Sequence, residues 1–524
     1  MRRTAAAVLV ALSTAFTVLP AALPTASAAA SAHSDEPQPL GEHAAGGAPV
    51  TTPEAAQAAL EGATELAAGT ASEAERAEAT LILRDLAVSL PLLRGDDRAR
   101  AEAILARPTH GASDPYGNGY TVGSKRMCKA NVCVHWVTST SDAVTNRAWV
   151  KTNLKVLNNV WRKNVKMGYR TPVSDRRVAG NNGGNGKFDV YLSNIGGRGQ
   201  YGYCVPEAYG RRVGSASSYC VMDNDFAEFG GSPKGNLKVT AAHELFHAVQ
   251  FAYDFTEDRW FMESTATWME ERFADGVNDN RQYLRNSQIV RPSLALDTFS
   301  MTGSTQYASW IFWEYLGTRF GHSIVRQVWE RAAPGRRTDP YSTKAIAAAL
   351  QRKGGFAQVF RAYSAANARP AASYAEGKAW PKPTIAGRYT LARKASKDVT
   401  PRLDHLTAQH YVVKPAKSLK AKKWKLRITV DGPNKATAPG AYVYVNRKKG
   451  GSGTAIRLNR KGKGSTTIAF NRRNVRSVTV TLANGSTRYR GCQTSSTAPS
   501  VYSCNGSPRD ENRPFRLTLR TLKG

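Results

Sequence analysis

A chain of 524 residues is longer than one hydrophobic core normally organises, so several domains are expected. The formal charge of +33 is unevenly placed: residues from about Ser31 to Pro115 are acidic on balance, and nearly all the basic excess lies after Lys125. Beyond the N-terminal region no stretch is long and apolar enough to span a bilayer, which excludes stable membrane insertion.

Arg2-Arg3, an apolar run from Ala5 to Leu23 and the small residues Ala26-Ser27-Ala28 read as a signal peptide over residues 1–28, so a secreted, extracellular product is expected. An oxidising compartment suits the six cysteines. They fall into local pairs, Cys128 with Cys133, Cys204 with Cys220 and Cys492 with Cys504, although six cysteines allow about fifteen pairings. Residues 29–115 are expected to form an acidic helical pro-segment or spacer. Leu81, Leu83, Leu86 and Leu90 supply its apolar positions, and a Gly/Pro/Asp linker runs from His110 to Gly119. This leader holds no cysteine, so a thiol latch on a metal is excluded and any blockade by it is steric.

Residues 116–379 are expected to form the catalytic domain. Cys133–Val137 is strand-like, and Val150, Leu154, Leu157 and Trp161 make the apolar face of a helix. Phe188–Leu192 reads as a buried strand, and Ser217–Met222 as an edge strand. Asp223-Asn224-Asp225 is an acidic trio. It lacks the spacing of a calcium loop, so turn or helix capping is preferred over calcium as its role.

Then comes His243-Glu244-Leu245-Phe246-His247. Two histidines four apart lie one above the other on a helix, so both imidazoles reach one metal, and Glu244 beside them suits a general base. Leu245, Phe246, Val249 and Phe251 surround them, which argues a buried helix in which unpartnered imidazoles would be costly. A catalytic zinc takes three protein ligands and keeps one open position; Glu263, sixteen residues after His247, is the natural third. The expected complement is one Zn2+ per chain.

These residues, with Glu263-Ser264-Thr265-Ala266-Thr267-Trp268, resemble the gluzincin metallopeptidases, in which a Glu-x-x-Ala-x-aromatic helix supplies the third ligand. The wider run from Lys238 to Glu271 is similar to a group of secreted bacterial proteins classed as metalloproteases, and the resemblance covers about Cys133 to Gly321. It implies a zincin-like α+β fold with an active-site helix, and a sheet strand that binds substrate backbone. Many gluzincins place an Asp four residues after the glutamate ligand to orient a zinc histidine. Here that position is Thr267, whose hydroxyl can accept from an imidazole N–H but polarises the ligand less than a carboxylate would. The resemblance also gives Tyr307 a role, as hydrogen-bond donor to the tetrahedral oxyanion; packing is the alternative. Trp310, Phe312, Trp313 and Leu316 that follow it are core residues.

Residues 380–524 change to short alternating strands, among them Trp424–Val430, Tyr442–Val445, Val478–Leu482 and Phe515–Leu519, with a hairpin signal at Asn484-Gly485. An auxiliary all-β, sandwich-like domain is expected, with Lys and Arg on its outward positions. A solvated face is the simplest reading of that charge. An acidic cell-wall polymer is the partner it would take, and nucleic acid is not expected. The whole reads as a secreted zinc metalloendopeptidase acting on peptide or protein substrates. The alternatives are a surface-binding protein with a degenerate zinc-peptidase fold, and a zinc hydrolase acting on cell-wall peptides.

Overall fold

The first helix opens where Thr52, in an extended conformation, accepts from Ala55 N through its hydroxyl and Pro53 follows in the first turn, as helix starts favour. In the computed structural model, residues 52–109, 119–176, 178, 181–335, 338–493 and 501–524 are described, all within one compact unit, Ala44–Gly524. The expected signal peptide and most of the expected linker lie outside the described residues. The leader folds as α1 (Pro53–Ala68), α2 (Glu73–Ala77), α3 (Ala79–Ser89) and α4 (Gly95–Ile104). Gly69, left-handed at φ 73°, closes α1, and a Ser72/Glu75 capping box opens α2.

Five strands follow: β1 (Lys125–Lys129), β2 (Val132–Trp136), β3 (Phe188–Ser193), β4 (Gly202–Tyr209) and β5 (Ala216–Asp223). They form one sheet in the order β1-β2-β3-β5-β4, with β2, β3 and β5 parallel and both outer strands antiparallel. Period-two alternation divides their side chains between two cores. Val134, Val190, Leu192 and Met222 join α5 (Arg147–Lys166) and α6 (Pro233–Phe251) on one face, while Tyr191, Tyr203, Tyr219 and Val221 join Leu60, Leu66, Leu83 and Leu86 of the leader on the other. The leader is therefore a structural layer of the sheet. Its charge contacts invert the bulk balance: Arg107, 1% exposed, pairs with Asp175 (2.8 Å), Asp189 (2.7 Å) and Glu207 (2.6 Å) of the body.

One expected edge is corrected. Ser217–Met222 lies in β5, which is buried along its whole length between β3 and β4; the edge nearest the motif helix is β4. The two serines of β5 pass for solvent-facing positions in the sequence but are covered, at 3% exposure each.

After α6 come α7 (Arg259–Ala274), α8 (Thr305–Ala308) and α9 (Trp310–Phe320). Between α8 and α9 the chain turns at Ser309, and Trp310, Phe312, Trp313 and Leu316 are fully buried. The β-rich region holds a five-stranded and a four-stranded sheet over one core, with Leu426, Ile428 and Leu517 meeting Val413, Val443 and Val480. Lys425 and Arg427 alternate outward from it. Asn484-Gly485 closes no hairpin: the strand ending at Asn484 pairs with Pro439–Arg447 and Thr407–Pro415, both earlier in the chain, and the Asn484 amide binds Asp510 O at 2.8 Å. This region is latched to the helices through Tyr489 Oη to Asp297 (2.6 Å) and Cys504 N to Asp258 (2.8 Å). Cys128–Cys133, Cys204–Cys220 and Cys492–Cys504 form disulfides, and among the described residues no helix is long and apolar enough to cross a membrane.

Candidate metal centre

Ser232 caps α6 by accepting from Gly235 N, Pro233 takes its first turn, and the helix runs through the core with almost every residue from Leu237 to Phe251 covered. His243 and His247 share one face, their ring centroids 4.8 Å apart. The chain then turns through Tyr253, whose N–H bonds Gln250 O, and re-enters as α7. That return brings Glu263, 1% exposed, beneath both rings. His243 Nε2 lies 3.1 Å from Glu263 Oε2 and His247 Nε2 lies 3.5 Å from Glu263 Oε1.

The far side of each ring is held by another side chain. Glu270 Oε1 sits 2.7 Å from His243 Nδ1, and Gln250 Oε1 sits 2.8 Å from His247 Nδ1. Gln250 is itself oriented, donating from Nε2 to Met262 O (2.8 Å) and Thr265 Oγ1 (3.1 Å), so its oxygen must face the imidazole. A carboxylate and an amide oxygen accept only, which places a proton on each Nδ1 and turns each Nε2 toward Glu263. Three ligand atoms, one from each of His243, His247 and Glu263, lie within 4.8 Å of one another. Tetrahedral zinc with bonds of about 2.0–2.2 Å separates its donors by about 3.3–3.6 Å, so this nitrogen/oxygen set fits such an ion.

Thr267 is a correction. Its hydroxyl donates to Glu263 O, one turn back along α7, at 2.9 Å, and it reaches neither imidazole. The orienting carboxylate is Glu270, seven residues after Glu263 and so on the same face of the helix two turns along. Its signal was present in the spacing. Gln250 carried a signal too, three residues after His247 and on the same side of α6.

Glu244 is buried beside the histidines; burial, and then the Glu263 charge, push its carboxyl up to about 7. Burial lowers His247 to about 4, whereas Glu263 and Glu270 overcome burial and hold His243 well above its ordinary range. The β4 edge approaches α6 closely at Gly202, where a Cβ would meet Thr240 Cγ2 at 2.8 Å and Glu244 Cγ at 2.9 Å. Tyr307 flanks the histidines, its ring 6.1 Å from that of His243 and stacked on Tyr283 at 4.9 Å. Its hydroxyl donates to Ala77 O in the leader at 2.9 Å.

Asp223 of the acidic trio accepts backbone N–H groups from Gly196 (2.5 Å), Asp225 (3.2 Å) and Phe226 (2.5 Å), the bonding of a turn cap. A carboxylate oxygen of each of Asp223, Asp225 and Glu228 lies within 4.8 Å of the others.

Residues 232–418 match the model of a family of unknown function, DUF6055. The match opens on the residue that caps α6 and takes in α6, α7 and α8, so His243, Glu244, His247, Glu263, Glu270 and Tyr307 all fall inside it. The leader and the five-stranded sheet precede it. No curated protein matches the chain.

Proposed function

We propose that this protein is a secreted zinc metalloendopeptidase with a zincin-like catalytic fold. The observation that carries the reading is the convergence of the His243 and His247 Nε2 atoms on the two oxygens of Glu263, with a second partner behind each ring. A cation shared by both Nε2 atoms and the buried carboxylate accounts for two imidazoles turned toward one glutamate, each held from behind by its own partner.

His243, His247 and Glu263 would hold the metal. When bound, zinc would supply Lewis-acid polarisation of the scissile carbonyl and acidify an attacking water. The remaining work belongs to the chain. Glu244 takes the proton of the water and returns it to the leaving amine. Glu270 and Gln250 keep the imidazoles in one tautomer and orientation. The outward backbone groups of β4 pair with an extended substrate, which gives affinity with little side-chain preference. Tyr307, beside His243, is placed to donate to the oxyanion once its hydroxyl is free. Three disulfides support an extracellular setting.

Metal analysis tests the reading directly. The purified protein should carry about one zinc per chain, and Glu263→Ala should lose most of it while staying folded. Full occupancy in that variant would remove Glu263 from the site, and a metal-free parent grown with zinc would end the metallopeptidase reading.

A further inference from the structure

Glu244 and Tyr307 each bond to one short piece of the leader. Between α2 and α3 the chain kinks at Glu78, and Ala77, Glu78 and Thr80 face α6, α8 and the β4 edge. Ala77 O takes the Tyr307 hydroxyl at 2.9 Å. Glu78, 1% exposed, accepts from Gln306 Nε2 through one oxygen, while its other oxygen is buried with no hydrogen-bond partner among the described residues. The Thr80 hydroxyl donates to Glu244 Oε2 at 3.0 Å and accepts from Cys204 N at 2.9 Å.

The Cys204 contact locates the segment relative to a substrate. Cys204 faces Cys220 across an antiparallel pair and is disulfide-bonded to it with a Cα–Cα distance of 4.0 Å. That short spacing marks a non-hydrogen-bonded pair, whose N–H and C=O groups point away from the partner strand. Among the described residues no strand lies on that side of β4. The donor an incoming peptide backbone would use is therefore taken by Thr80. The same hydroxyl donates to Glu244 as an attacking water would.

We propose that Ala77–Thr80 is an intramolecular occupant of the active cleft, which keeps the folded chain latent until this segment withdraws; the proposal rests on the metallopeptidase reading. Base, edge-strand donor and oxyanion donor are filled together by two residues, Ala77 and Thr80, only three positions apart. A lock holds them in place: Arg84, bound to Asp85 at 2.7 Å, donates to Glu257 O at 3.0 Å, and Asp85 also pairs with Arg259 at the start of α7. Latency and folding use different faces of the leader. Leu60, Leu83 and Leu86 cover the outer face of the sheet, so excising the whole leader would strip a core, whereas moving the 77–80 segment opens the cleft and withdraws Ala79 alone from that core.

The test uses the full chain, loaded with zinc, in three forms: the parent, the near-isosteric Thr80→Val, and Glu78→Gly/Thr80→Gly. Hydrogen exchange at the Cys204 amide should be at least ~10-fold faster in both variants, and casein hydrolysis should rise at least ~10-fold in the double variant over a nearly silent parent. Unchanged Cys204 exchange, or a parent that hydrolyses casein as fast as the double variant, would overturn the proposal. A double variant with accelerated exchange and one zinc but no hydrolysis of casein or a mixed peptide library would instead sink the peptidase reading and leave the docked segment standing. Should the double variant fail to fold, exchange in Thr80→Val decides alone.

Discussion

Glu270 stands 2.7 Å from His243 Nδ1 and supplies the carboxylate that Thr267, three residues earlier, does not. Both positions lie on the face of α7 that carries Glu263, but a threonine one turn away bonds back to its own helix, whereas a glutamate two turns away reaches across to α6.

Glu270→Ala should therefore weaken zinc binding ~10–100-fold, the usual cost of losing a partner behind a metal histidine. Thr267→Val should leave metal affinity near that of the parent. Competition against a calibrated chelator measures both; equal effects from the two substitutions would show that Glu270 has no orienting role.

Glu244→Gln should retain one zinc per chain and abolish peptide cleavage, because the amide keeps the shape and cannot accept the proton. The comparison is made in the Glu78→Gly/Thr80→Gly background, so that access to the cleft is equal. Cleavage at the rate of its own background would exclude Glu244 as the base.

Tyr307→Phe separates two roles of one hydroxyl. In the intact chain it removes the bond to Ala77 O and should cost about 1 kcal/mol of stability, read from thermal unfolding. In the Gly/Gly background it should lower turnover by ~10²-fold with little change in KM, because a donor used only in the transition state acts on the rate constant. Normal turnover there would return Tyr307 to a packing role.

The junction with the β-rich region should be sensitive to alkali. Burial opposes charge on His405, but Asp297, 2.9 Å away, and then Glu511 hold it up at about 9. A histidine raised above its unfolded value near 6.5 stabilises the fold fully below that pH, and the contribution fades as pH climbs through about 9. Unfolding free energy of the parent should fall between about pH 6.5 and 9.5 by roughly 3 kcal/mol from this group. His405→Gln should lack that slope, and parallel pH profiles for the two proteins would refute the assignment.

Much of the centre was legible before folding because its parts are local. His243 and His247 are one helical turn apart, and Glu263 returns after a short loop, so local spacing alone brings these three side chains toward one place. Local spacing likewise marked the disulfide pairs, whose partners are separated by 5, 16 and 12 residues. The alternating strands of the β-rich region were readable from their apolar period. Tertiary structure decided whatever depends on residues far apart in sequence. That β4 and not β5 forms the sheet edge is a matter of strand order, to which the serines of β5 gave a false cue. That Thr80 meets Glu244 across 164 positions and Ala77 meets Tyr307 across 230 depends on α3 packing against β4, and nothing in the local pattern of Ala and Glu around Glu78 encodes that contact.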